Sequence, residues 1–135
     1  MKYKLLKHTG DIKFQAEGKT LRKAFLNSAL ILKEIMTEEA KIKAKKKKKI
    51  KIKGKDEKQL LLNFLEEFLF LLDAEDFILS KIKKLKIKDN KLEAEIVGDK
   101  ASSYGFSNSV KAITYSEMKI EKKRGKFIIQ IVLDV

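Results

Sequence analysis

The chain has 135 residues, 44% of them hydrophobic, enough for one core and a single domain over 1–135, and too apolar for a disordered chain. It has no cysteine and one histidine, His8, which excludes a disulfide framework and a zinc site of ordinary composition. The net charge of +13 is regional, because Lys41 to Lys55 carries ten lysines and no acid and leaves 22 basic against 19 acidic residues elsewhere. Abundant lysine without proline also fits a compositional bias of the kind reported for hyperthermophiles. Met1 to Lys7 has no long apolar core, and the apolar stretch Leu60 to Leu72 is broken by Asn63, Glu66 and Glu67. Neither a secretory leader nor a membrane span is expected, and the reading is a soluble cytoplasmic protein.

Lys2 to Leu6 reads as a short strand, His8 to Asp11 as a turn, and Ile12 to Glu17 as a second strand with Ile12, Phe14 and Ala16 on one face. Thr20 is an N-cap for a helix to about Met36, whose inward face carries Leu21, Ala24, Phe25, Ser28, Leu32 and Ile35. Lys41 to Lys53 alternates, with Ile42, Ala44, Ile50 and Ile52 on one side, while Lys46 and Lys48 interrupt that apolar face. Inward charge is a guard against edge-to-edge pairing, so this is an edge strand; a phosphate-binding strip is the alternative.

Asp56 caps a second helix, with Gln59 placed to reach back to the cap. Its apolar residues, Phe70 included, leave only a narrow polar stripe through Gln59, Asn63, Glu66 and Asp73, which predicts a nearly enclosed helix. Ile78 to Lys88 and Lys91 to Val97 form a hairpin closed by Asp89-Asn90, with a bulge near Lys83-Lys84. Asp99 to Ser109 is a polar irregular stretch of a length that is more often functional than idle. Val110 to Tyr115 and a strand through Met118 and Ile120 follow, and a turn at Lys122 to Gly125 leads into Phe127 to Leu133, apolar on both faces and so buried on both sides. No internal repeat is apparent. The order ββαβαβββ and a last strand implies an α+β fold of two layers, a mainly antiparallel or mixed sheet with two amphipathic helices packed against it.

Chemistry is sparse. There is no glycine-rich phosphate loop, and Asp11 is by default a turn residue. At the C-terminus the Asp134 carboxylate, its carbonyl and the carboxylate of Val135 offer hard oxygens of the kind Ca²⁺ or Mg²⁺ prefers, and Asp11 is the candidate to complete the cluster. A hydrolase would draw its general base from Asp11 or His8, and a stand-alone RNA-binding protein would use Lys41 to Lys55.

His8-Thr9-Gly10-Asp11-Ile12 resembles the His-Thr-Ala-Asp-(Ile/Val) opening of the archease family. Gly18-Lys19-Thr20-Leu21 with Ala24-Phe25, the Leu- and Phe-rich Leu61 to Asp73, Val110-Lys111-Ala112-Ile113-Thr114-Tyr115, and Val132-Leu133-Asp134-Val135 resemble further segments of that family, in order along the whole chain. The resemblance implies a non-catalytic accessory protein of an RtcB-type tRNA-splicing ligase that promotes guanylylation and repeated turnover of the ligase. It implies a divalent metal, Ca²⁺, held by Asp11, Asp134 and Val135, and Lys111 as the basic residue that acts with Asp11 and Asp134 in ligase activation. His8 and Thr9 would form the supporting turn, and RNA contact would be indirect or weak. Gly10 stands where Ala is usual, Ser109 where many members have Glu, and Ser116 where others carry His.

Overall fold

The computed structural model describes residues 3–6, 11–106 and 108–135. In chain order these form β1 (Tyr3–Leu6), β2 (Asp11–Gly18), α1 (Leu21–Thr37), β3 (Lys46–Lys53), α2 (Glu57–Glu75), β4 (Phe77–Lys88), β5 (Lys91–Lys100), a 3-10 turn at Ala101–Ser103, β6 (Ala112–Lys123) and β7 (Lys126–Asp134). The class is α+β, with antiparallel pairing and two amphipathic helices, in the expected order. The strands are divided between a four-stranded sheet, β1-β2-β7-β6, and a three-stranded sheet, β3-β5-β4. Each helix packs against strands of both sheets, α1 on β2, β7 and β4 and α2 on β6, β3, β4 and β5, so the helices hold the two sheets around one core.

Both helices begin in the same way. Thr20 accepts a hydrogen bond from the Lys23 N–H and Asp56 one from the Gln59 N–H, each satisfying a donor that the first turn leaves open. Gln59 reaches one residue past the cap, its side-chain oxygen accepting from the Lys55 N–H at 2.7 Å. Nine residues after Gly18 and after Gly54 stand Asn27 and Asn63, which donate to the carbonyls of Glu17 and Lys53 at 2.7 and 2.9 Å. A Cβ on Gly18 would lie 2.3 Å from the Ala24 nitrogen, and one on Gly54 2.5 Å from the Leu60 nitrogen. Strand, glycine, cap, helix and asparagine thus recur at one spacing, an internal repeat that the sequence reading lacked. Both helices end on left-handed residues, Glu38 and Asp76.

Strand β7 is buried on both faces, as its composition predicts. Ile129, Ile131 and Leu133 enter the core, while Gln130 and Val132 on the other face are buried as well. Their cover comes from β6, whose pairing with β7 is interrupted between Thr114 and Lys119, with Glu117 in the left-handed region. The Gln130 side chain donates to the Glu117 carbonyl at 2.9 Å, Gln15 donates to Gln130 at 3.1 Å, and Lys13 reaches across β7 to the Glu117 carboxylate at 2.8 Å.

Other expectations change in detail. Phe70 is 53% exposed, so α2 is not nearly enclosed: it shares its outer stripe with Glu66 and Asp73. The strand at the lysine run begins at Lys46, leaving Ala44 exposed, although Ile42 is buried. The Asp89-Asn90 turn has both residues at positive φ, and the bulge near Lys83 is present with a second one at Ser80.

The two glycine contacts are with backbone, which cannot swing aside. Gly18→Ala and Gly54→Ala should each destabilise the protein by about 1–3 kcal/mol or more, the cost of overpacking a filled site. Gly105→Ala, with nothing within 4 Å of its Cβ, should leave the urea midpoint almost unmoved.

Candidate functional site

The β2–β7 register sets Asp11 directly opposite Asp134, and the β6–β7 register sets Ala112 opposite Asp134 on the other side. Directly opposed residues share a face of the sheet with Cβ atoms about 5 Å apart, so the two carboxylates project together. That face is the one away from the core, since Phe14, Ile131 and Leu133 point the other way. Asp134 is exposed and Asp11 half-buried. Like charges directly opposite each other cost stability, and a divalent cation between them turns that cost into coordination.

The donor set fits a hard cation in kind. Among the described residues no three His, Cys, Asp or Glu side chains converge on one point, so further oxygens would come from main chain such as Val135. Val135 is half-buried and packed against the core. His8 and Thr9 of the expected supporting turn lie outside the described residues. Lys111 is exposed, and its N–H donates to the Asp134 carbonyl at 2.7 Å, which ties the start of β6 to the acidic pair. Ser109 and Ser116 are both exposed.

The stretch after β5 is less of an active loop than its length suggests. Asp99 is buried at 6% exposure, accepts from the Tyr104 hydroxyl at 2.8 Å and from the Lys100 N–H at 2.8 Å, and Tyr104 in turn accepts from the Lys43 N–H at 2.9 Å. Asp76, at the end of α2, accepts from both the hydroxyl and the N–H of Ser102. These bonds stitch residues 99–104 to the helix end and to the lead-in of β3. The Tyr104 hydroxyl, then the Lys100 N–H, hold the Asp99 carboxyl below the usual range, and the Ser102 hydroxyl does the same for Asp76.

The lysine run forms β3, an edge strand as expected, paired with β5. Inward-facing Lys48 is neutralised by Glu75 and lies 5.4 Å over the Phe77 ring. The sequence reading missed that the β4 lysines join the same sheet: Lys84 and Lys86 align with Lys49 and Lys51 through Glu95 and Glu93 of β5. The alternation of lysines in β4 was visible, but its relation to β3 runs through a strand that follows both.

The sequence model of the Archease protein family matches residues 3–135. The archease of Pyrococcus furiosus is 37% identical over 95% of this chain and 94% of its own length, and that of Sulfurisphaera tokodaii is 35% identical over 99% of each. The solution structure of protein 1598 of Methanobacterium thermoautotrophicum superposes with a TM-score of 0.82 at 30% identity, covering 98% of both chains. A Thermotoga maritima protein described as an archease and possible chaperone has the same fold, with a TM-score of 0.65 at 16% identity.

Because the Asp99 and Asp76 carboxyls lie below their unfolded values in the folded protein, the stability they bring is present above about pH 4, the ordinary carboxylate range, and is lost as pH falls through the lower folded values. Asp99→Asn and Asp76→Asn should each flatten the acid limb of a stability–pH curve measured by urea unfolding. Tyr104→Phe should shift the Asp99 contribution to higher pH.

Proposed function

Since the chain belongs to the archease family, we propose that it is a non-catalytic activator of an RtcB-type RNA ligase, promoting GTP-dependent guanylylation and repeated turnover of that ligase in tRNA splicing. The observation that carries the reading is the register that pairs Asp11 with Asp134 while the Lys111 N–H bonds to the same Asp134. Asp11 and Asp134, with main-chain oxygen from Val135, would hold a divalent cation, Ca²⁺ by preference for hard carboxylate and carbonyl donors. Bound there, the cation supplies positive charge for orienting phosphate oxygens at the partner's active site. Lys111 is exposed beside the corner and offsets phosphate charge as a point charge. Two carboxylates and a lysine do not make an activated nucleophile, which supports a role in assisting another active site rather than covalent catalysis of its own.

The test mixes the protein with an RtcB-type ligase, GTP and Mn²⁺ and follows guanylylation. Stimulation is expected; none would sink the reading. Asp11→Ala and Asp134→Ala should each weaken Ca²⁺ binding by about tenfold or more in calorimetry, because the number of charged ligands sets affinity over orders of magnitude. Lys111→Ala should keep the metal and lose stimulation, since a protonated lysine is no cation ligand. Wild-type Ca²⁺ affinity in both Asp variants would show that the two carboxylates share no ion.

A further inference from the structure

The face of the β3-β5-β4 sheet turned away from the core carries a charge pattern that ligase activation at the acidic corner does not use. The central cross-strand rows are Lys49–Glu95–Lys84 and Lys51–Glu93–Lys86. The rows that flank them are Lys47–Val97–Lys81 and Lys53–Lys91–Lys88. Each outer strand therefore presents a column of exposed lysines. The columns lie two strand spacings apart, about 10 Å, with successive lysines about 7 Å apart along a strand. Between them runs a trough, formed by a concavity of about 600 Å³ with Val97 in its lining and a second of about 310 Å³ lined by Glu93 and Glu95.

Neither edge protection nor general lysine bias accounts for this. The inward guard on β3 is Lys48, already neutralised, and outward lysines add nothing to it. Segments 41–55 and 81–95 together hold 16 basic and 3 acidic residues, and the remainder of the chain holds 16 of each, so the whole excess of +13 belongs to the segments that build this sheet. A bias of composition would spread. Among the described residues the only ion pair on this face is Lys51–Glu93, at 4.0 Å and exposed, which is worth little.

The pattern selects its ligand. No aromatic side chain stands in the four rows, so the face lacks the stacking platform that single strands require. No arginine fork is present for planar carboxylate recognition, and lysines act as point charges toward phosphate. Ionised Glu93 and Glu95 accept hydrogen bonds only, and would repel a phosphate row laid along β5. Between two phosphate rows they face a groove, and the wide, shallow minor groove of an RNA duplex displays 2′-hydroxyl donors there. We propose that this face binds double-stranded RNA across its minor groove, the β3 and β4 lysine columns each following one backbone and Glu93 and Glu95 accepting from 2′-hydroxyls. The proposal stands independently of ligase activation.

The test measures fluorescence anisotropy of an RNA duplex of about 20 base pairs, longer than one duplex-RNA module covers, against a DNA duplex and a single-stranded RNA of the same sequence. The RNA duplex should bind tightest. Combined Lys49→Gln, Lys51→Gln, Lys84→Gln and Lys86→Gln should weaken it at least tenfold and reduce the log-log salt slope by about 3–4, at roughly 0.9 per phosphate contact. Combined Lys33→Gln, Lys58→Gln, Lys122→Gln and Lys123→Gln, which removes equal charge elsewhere, should cost far less, and Glu95→Gln should narrow the preference for RNA over DNA. Thermal unfolding confirms that the variants fold. Equal loss in both lysine sets, single-stranded RNA or DNA bound as tightly as the RNA duplex, or binding only to an acidic protein would each overturn the proposal.

Discussion

A strand buried on both faces needs cover on both, and β7 is the strand around which this constraint is solved. The helices supply one side. On the other, β6 breaks its pairing after Thr114 and turns over β7 at Glu117, held by Gln130 and by Lys13. A buried Gln130 would be costly without partners, and it has two, Gln15 and the Glu117 carbonyl. The bulge therefore serves burial of the strand, and the strand serves the corner: because β7 is fixed between β2 and β6, Asp134 has one register against Asp11 and one against Ala112. A slip of one residue would send Asp134 toward the core face, which the apolar residues of β7 forbid.

The second constraint is the close approach of each helix to the strand before it. Gly18 and Gly54 let the first turn of α1 and α2 sit within a Cβ radius of the chain, and Asn27 and Asn63 close the contact from the helix side. In this way each helix is aimed by its own preceding strand, one from each sheet. The two sheets acquire a common core although no strand passes from one to the other.

What was legible in the sequence was local. Thr20, Asp56, Asp89-Asn90 and the bulge at Lys83 each carry their signal within a few residues, and each is where it was expected. The division into two sheets was not, because pairing depends on segments tens of residues apart. The repeat escaped because only Gly18-Lys19 with Leu26-Asn27 and Gly54-Lys55 with Leu62-Asn63 are shared, a signal of spacing rather than of similarity. Residues 99–104 looked functional because polar side chains without periodicity read as a loop, whereas Asp99, Ser102 and Tyr104 spend their polarity on backbone and on one another. At the acidic corner, the residues came from resemblance and from oxygen chemistry, and the opposition of Asp11 and Asp134 came only from the register.

The chain's charge is sorted by sheet, and the sorting bears on how a basic protein keeps an acidic cation corner. Free lysines next to Asp11 and Asp134 would compete with a divalent ion for the carboxylates. The lysine nearest in sequence on the same face is Lys13, and its ammonium is committed to Glu117 at 2.8 Å with only 15% of its side chain exposed. The excess lysines lie on the other sheet, and the interaction of exposed charges decays over a Debye length of about 8 Å at physiological salt. Lysines placed on β3 and β4 therefore add to the field of their own face and little to that at the corner. Had the same excess been spread evenly, the corner would face ammonium groups on every side, and its preference for a divalent cation would fall with each one.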